Sequence, residues 1–357
     1  MPQSVKDLGP QSMEISVQDY QKFWKKAKEN ISCYPDNLSF STMKAGASSP
    51  LIAEIECRLT NIPLKSGYAS DRWKKCLDVM ILKKSGNTLL NALRTIVLFP
   101  VNCNYAFKHI GREMMRLGEQ STSLAPEQYG SRNQHRAIDL AVNKVLTNDL
   151  LRQLKRPGAI CCNDAKSCYD LIGHSQASIS MQRLGVPKHA INSLFDTLQN
   201  ATHQVRTAYG DSDFTYGGET WDKPMHGVGQ GNGAGPAIWA AVSTPILNML
   251  RSKGLGCEFI SPFSSKVTKF VGYSFVDDTD LIVSMCDKYS SHQAMLDLQT
   301  SLDTWEGGLK ATGGALVPEK TYWYLIDFTW TAGQWSYKTI SDSPGSIFAN
   351  DLQGVRM

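Results

Sequence analysis

The segment Gly272-Tyr273-Ser274-Phe275-Val276-Asp277-Asp278-Thr279-Asp280-Leu281 sets three acidic residues at the tip of an otherwise apolar stretch. The runs Phe270–Val276 and Leu281–Met285 predict two strands, and Asp277–Asp280 predicts the turn of a β-hairpin between them. Two carboxylates about 4 Å apart repel by roughly 4 kcal/mol at an effective dielectric near 20. A fold that holds them together needs a cation, and a hard divalent ion such as Mg²⁺ favours oxygen ligands. Asp is also the ordinary residue of a solvated turn, so the pair alone does not decide.

A second segment narrows the choice. The apolar run Ala159–Cys162 ends at Asn163-Asp164 and predicts a buried strand with a carboxylate at its C-terminal end. One strand-end aspartate and a hairpin Asp-Asp about 110 positions later suit two-metal phosphoryl transfer. There, carboxylates from neighbouring strands grip two ions.

The net charge of +4 over 357 residues excludes a polycation and an acidic tail protein. That average hides two opposed regions. Between Lys65 and Arg116 ten basic residues face three acidic ones, whereas Asp277–Glu306 holds seven acidic residues against Lys288. Phosphates suit the first region and cations the second. The 42% hydrophobic fraction excludes wholesale disorder, and the length suggests roughly two or three lobes. Nine cysteines without a CxxC pair (Cys33, Cys57, Cys103, Cys257 and Cys286 among them) argue against a disulfide scaffold or a zinc knuckle. With no apolar leader and no apolar run near ~18 residues, an intracellular, soluble protein without a membrane partner is expected.

Residues 1–50 read as a poorly packed N-terminal extension. Arg132–Leu150 predicts a helix with Ile138, Ala141, Val142, Val145 and Leu146 on one face. Ser175–Leu184 predicts a helix capped by Ser175 and closed by Gly185. Gln204–Ala208 and Phe214–Tyr216 predict strands, and Ile238–Leu250 a helix leaving the glycine-dense loop Gly227–Pro236. Met295, Leu298, Leu302 and Trp305 predict a helical stripe stopped by Gly307-Gly308, and Tyr322–Phe328 and Trp335–Ile340 predict strands. This order implies an α+β fold, an antiparallel sheet backed by helices.

Phe275-Val276-Asp277-Asp278 resembles the aromatic-x-Asp-Asp box of reverse transcriptases, and the Asp164 segment resembles their first carboxylate motif. Gly227-Val228-Gly229-Gln230-Gly231 is similar to their glycine–glutamine motif. Gly307-Gly308-Leu309 and Pro318-Glu319-Lys320-Thr321 are similar to the later palm motif with its lysine. Leu93–Leu98 and Pro126-Glu127-Gln128-Tyr129-Gly130-Ser131-Arg132 resemble finger segments of non-LTR (LINE-like) retrotransposon enzymes. The loop departs from that pattern at Asn232-Gly233-Ala234-Gly235, where retroelement enzymes commonly carry a Pro and a Ser before the final Pro.

The resemblance implies a right-hand polymerase fold with fingers at 51–150, a ferredoxin-like antiparallel palm at 151–345, and a tail at 346–357 truncated before a thumb. It implies an RNA-directed DNA polymerase joining a dNTP to a primer 3′-OH on an RNA template with a DNA primer. The cofactor would be two Mg²⁺ ions, with Mn²⁺ as a substitute. Asp164, Asp277 and Asp278 would be the metal ligands, with the Ala165 carbonyl a further one, and Lys320 would assist the leaving pyrophosphate. Lys83, Lys84 and Arg94 would meet the triphosphate, Gly229, Gln230 and Gly231 the nascent base pair, and Tyr169 would exclude a ribose 2′-OH. An idle nucleic-acid-binding remnant and an RNA-dependent RNA polymerase are the rival readings. The second usually carries Gly before the aspartate pair, where this chain has Val276.

Overall fold

The apolar run before Asp164 folds as expected: Gly158–Asn163 is a strand buried at all its positions. In the computed structural model, residues 1–87, 89–218, 225–285, 289–342, 345–350 and 356 are described. Cys286, Asp287, Lys288 and part of the 346–357 tail therefore lie outside the described residues. The strands are β1 (Lys75–Leu82), β2 (Leu93–Leu98), β3 (Gly158–Asn163), β4 (Thr202–Thr207), β5 (Gly210–Gly217) and β6 (Cys257–Ile260). They continue with β7 (Val267–Phe270), β8 (Gly272–Phe275), β9 (Asp278–Val283), β10 (Tyr322–Ile326), β11 (Phe328–Thr331) and β12 (Gln334–Tyr337). The chain forms two compact units, Met1–Ser123 with Ile172–Ile238, and Leu124–Leu171 with Trp239–Met357.

The second unit is built on an antiparallel sheet of order β10-β3-β9-β8. The helix Ser291–Ala311 backs β3 and β9 with the stripe Met295, Leu298, Leu302 and Trp305, all buried. Each such side chain contributes on the order of 1.5–3 kcal/mol. That helix does not stop at Gly307-Gly308 but runs through both. A Cβ on Gly308 would lie 2.5 Å from the Ile246 Cγ2 in the helix Gly235–Ser252, so the glycine there permits close helix packing. β12 pairs with β11 in a separate two-stranded ribbon.

The helix Ala137–Leu154 forms, but its apolar stripe faces outward. Ile138, Val142, Val145 and Leu146 are exposed, and Thr147 and Leu151 are the buried residues. Polar partners turn it. Lys144 pairs with Asp280 of β9 at 2.5 Å, and Thr147 bonds the Tyr273 hydroxyl of β8.

The first unit carries the sheet β2-β1-β4-β5, in which only β1 and β4 run parallel. The N-terminal 50 residues are not loosely packed. Ser16 caps the helix Val17–Lys26, and Tyr20 and Trp24 are buried against the rings of Tyr105 and Phe40. The helix His174–Arg183 begins after Gly173 without a side-chain cap, one residue before the expected Ser175. Gly185 at φ +89° follows its end. No helix among the described residues is long and apolar enough to cross a membrane.

Candidate active site

Strand register alone brings the two acidic segments together. Asn163 pairs with Thr279 across β3 and β9, and Phe275 pairs with Asp278 across β8 and β9. Asp164, one residue past Asn163, thus leaves the sheet beside Asp278, at the end where the hairpin turns. The turn is tighter than the sequence suggests. Val276 and Asp277 form it, while Asp278 and Asp280 already belong to β9.

Val276 sits at φ +57°, in the left-handed region, where a β-branched residue is strained by about 1–2 kcal/mol. The segment Glu127–Gly130 holds it there. Backbone bonds join Tyr129 N to Ser274 O (2.7 Å) and Ser274 N to Glu127 O (2.9 Å). The Trp239 indole N–H donates to Val276 O at 2.6 Å. A Cβ on Gly130 would lie 2.3 Å from Val276 N, so this approach requires glycine. Gln128 was read from the sequence as part of a finger motif; its contact with the turn was legible in no local pattern.

The Asp164 segment runs beside residues 315–317, with Lys166 N bonded to Ala315 O (2.8 Å) and Val317 N to Asp164 O (3.0 Å). This carries the short helix Pro318–Lys320 to the site, and the Lys320 ammonium reaches Asp164 Oδ2 at 2.6 Å. Ala165, bridged to Leu316, is buried. The Cys168 thiol donates to Asp277 Oδ2 at 3.3 Å. Burial, then the Asp277 charge, pushes that thiol up, so it stays a donor. Tyr169 is half-buried, and burial, Cys168 and the Asp277 charge raise its phenol.

Burial first, and then the charges of Asp277, Asp164 and Asp280, raise Asp278, with Lys320 opposing them. Asp280 itself is committed to Lys144. Burial disfavours the charge on Lys144, but the bond and the charge of Asp280 together raise it. Asp164, Asp277 and Asp278 are the other acids at the turn, Asp164 paired with Lys320 and Asp277 accepting from Cys168. Among the described residues no three His, Cys, Asp or Glu side chains are gathered as a ready-made metal cluster. The donors nonetheless fit a hard divalent cation. They are carboxylates, the charges of Asp277 and Asp164 act on Asp278 in a repulsion that a cation relieves, and the Lys320 ammonium already lies against Asp164.

Lys83, Arg94, Gly229, Gln230 and Gly231 belong to the first unit. Arg94 is an exposed residue of β2 facing Ile81 of β1, and exposed Lys83 follows two residues after Ile81, its N–H bonded to Ala92 O. The glycine loop hooks the same strand, with Val97 N donating to Gln230 O at 2.7 Å. His174 braces the loop's start. Its Nε2–H donates to Gly227 O at 2.5 Å, and Gln199 Nε2 donates to its Nδ1 at 3.2 Å. That pair of bonds requires the neutral ring, and burial lowers the His174 pKa.

A histidine lowered on folding contributes stability that is present above its unfolded value near 6.5 and lost as pH falls. The melting temperature is accordingly expected to drop below about pH 6.5, with one proton contributing at most about 1.4 kcal/mol per pH unit. His174→Phe is expected to flatten that slope. Calorimetry between pH 7.5 and 5 checks this, and an unchanged slope in the variant would refute the assignment.

The chain matches apo telomerase from Candida tropicalis, truncated from its C-terminal domain, at 14% identity and a TM-score of 0.47. The match covers 83% of this chain and 64% of that one, so the chain spans under two thirds of the telomerase chain's length. No curated protein matches the sequence. Residues 81–340 match the family described as Reverse transcriptase (RNA-dependent DNA polymerase). That match covers most of the chain and all the residues at the carboxylate turn: the chain belongs to the reverse transcriptase family.

Proposed function

We propose that this chain is an RNA-directed DNA polymerase core of the non-LTR retrotransposon type, extending a DNA primer with dNTPs on an RNA template. One observation carries the reading. In a reverse transcriptase family chain, β-sheet register sets Asp164 beside the Asp277-Asp278 turn, and Lys320 reaches Asp164. The palm at 151–345 then carries the β10-β3-β9-β8 sheet, and the fingers at 51–150 carry β1 and β2. The Pro126–Arg132 and Leu93–Leu98 segments support the non-LTR assignment.

Asp164 and Asp277 would hold the metal, with Asp278 beside them and the Ala165 carbonyl as a further oxygen. Two Mg²⁺ ions bound there would activate the primer 3′-OH and neutralise the departing pyrophosphate, and Mn²⁺ would serve in their place. Lys320 moves from Asp164 to the pyrophosphate, supplying charge or a proton to the leaving oxygen. Lys83 and Arg94 hold the triphosphate, where a guanidinium fork matches phosphate oxygens. Gly229, Gln230 and Gly231 bring backbone against the nascent base pair. Tyr169 blocks a 2′-OH.

The test is primer extension on an RNA template by the purified protein, with dNTPs and rNTPs compared. Extension with dNTPs is expected. A preference for rNTPs would favour the RNA polymerase reading, and duplex binding without extension by either would favour the idle remnant. Tyr169→Ala is expected to raise rNTP use relative to dNTP by at least about tenfold, equivalent to 1.4 kcal/mol. An unchanged ratio would remove Tyr169 from the gate.

A further inference from the structure

The carboxamide of Gln128 is wholly buried, and both its ends bond one residue of the catalytic turn. Its Oε1 accepts from Val276 N at 2.9 Å and from Gly130 N at 2.8 Å. Its Nε2 donates to Val276 O at 3.0 Å, with Ser274 Oγ at 3.0 Å and Ser243 Oγ at 3.2 Å. A side-chain amide that pairs with the N–H and the C=O of a single residue acts as a short piece of partner strand. It fixes the orientation of that peptide plane. The residue so gripped is Val276, the one at φ +57°, and the next in sequence is Asp277. Without the grip, a valine relaxes toward negative φ, and the peptide that presents Asp277 rotates with it.

The geometry points to Gln128 as the positioning residue of this active site: it holds Val276 in the left-handed conformation that presents Asp277 and Asp278 at the end of the sheet. Gln128 touches no reacting group; it acts through the turn. The carboxamide suits this task because it offers a donor and an acceptor without a charge. A glutamate of the same length would lack the donor toward Val276 O and would bring a further negative charge to the turn. This placement explains why the Gln-Tyr-Gly sequence forms a unit. Gln128 supplies the clamp, Tyr129 N the bond to Ser274 O, and Gly130 the space against which Val276 packs.

The activity arm of the test rests on the polymerase reading above, and a second arm does not. Gln128→Met keeps the volume and removes all the hydrogen bonds. It is expected to lower kcat for dNTP addition at least about thirtyfold with KM changed less than threefold. A glycine adopts positive φ without strain, so Val276→Gly in the Gln128→Met background is expected to recover at least tenfold of the loss. A Gln128→Met enzyme with kcat within twofold of the parent, or a double variant with no recovery, would overturn the assignment. Should Gln128→Met fail to fold, Gln128→Leu, which also removes the bonds without adding a charge, makes the same comparison, with the same two outcomes.

The second arm reads hydrogen exchange at the Val276 amide, which needs no activity. Gln128→Met is expected to speed that exchange at least tenfold while the β9 amides of Leu281–Val283 keep their protection. Exchange that is unchanged at Val276, or accelerated equally along β9, would overturn it. If the parent protein extends no primer, the polymerase reading fails while this arm still decides the role of Gln128.

Discussion

Asp277→Asn is expected to cut Mg²⁺-dependent dNTP incorporation at least about a thousandfold, a loss of roughly 4 kcal/mol of transition-state stabilisation. The substitution removes a charge and little else. Asparagine has the size of aspartate, and its carboxamide oxygen can still accept the Cys168 thiol now bonded to Asp277 Oδ2 at 3.3 Å. The strained residue of the turn is Val276, not Asp277, so the backbone at 277 makes no demand that asparagine cannot meet. The melting temperature should therefore stay within about 2 °C of the parent while extension disappears. Primer extension with single-turnover quenching, alongside a melt by circular dichroism, separates the two. Undiminished extension by a folded Asp277→Asn protein would sink the assignment of Asp277 as a metal ligand.

The parts of this site that could be read from sequence are those written in local patterns. An apolar strand that ends in Asn163-Asp164 and a hairpin that ends in Asp277-Asp278 each announce themselves by a switch from apolar to acidic residues. Strand pairing then brings the two together. The exact turn was not legible, because a two-residue turn headed by valine contradicts local preference and exists through a partner almost 150 residues away. The same cause accounts for the helix Ala137–Leu154. Its periodicity was read correctly as a helix, yet Lys144 and Thr147, not the apolar stripe, find partners on the sheet. Gly307-Gly308 misled in the opposite direction. Glycine usually closes a helix, but here the missing Cβ of Gly308 lets Ile246 approach. The N-terminal 50 residues looked loose although Val17–Ala27 is amphipathic, because the ring that covers both Tyr20 and Trp24, that of Tyr105, arrives from elsewhere in the chain. In each case the missing information was a long-range contact that overrode a local signal.

Gly231→Ala is expected to be the most destabilising single methyl addition in the loop that carries Gln230, by about 3 kcal/mol. Two separate effects add there. Gly231 lies at φ +123°, a region that L-residues rarely enter, and an added Cβ would stand 2.3 Å from the Val97 carbonyl oxygen. That oxygen cannot retreat easily. Val97 is held on its other side by the bond from its N–H to Gln230 O at 2.7 Å, and the loop is pinned by Asn104, whose Nδ2 donates to Gly231 O and whose Oδ1 accepts from Gly233 N. Gly210 supplies the control. Its φ of +117° is nearly the same, but nothing lies within 4 Å of an added Cβ, so Gly210→Ala carries the backbone strain without the collision. That variant should cost about 1–2 kcal/mol. For a unit of this size, roughly 2–4 °C per kcal/mol places the Gly231→Ala melt roughly 9 °C below the parent and the Gly210→Ala melt about half as far below. Because β2 also carries Arg94, the collision should displace the strand that the proposed reading assigns to the triphosphate. KM for dNTP should then rise in Gly231→Ala and not in Gly210→Ala. Equal melting temperatures for the two variants would show that the loop does not press on Val97, and an unchanged KM in the folded Gly231→Ala protein would separate the loop from the nucleotide.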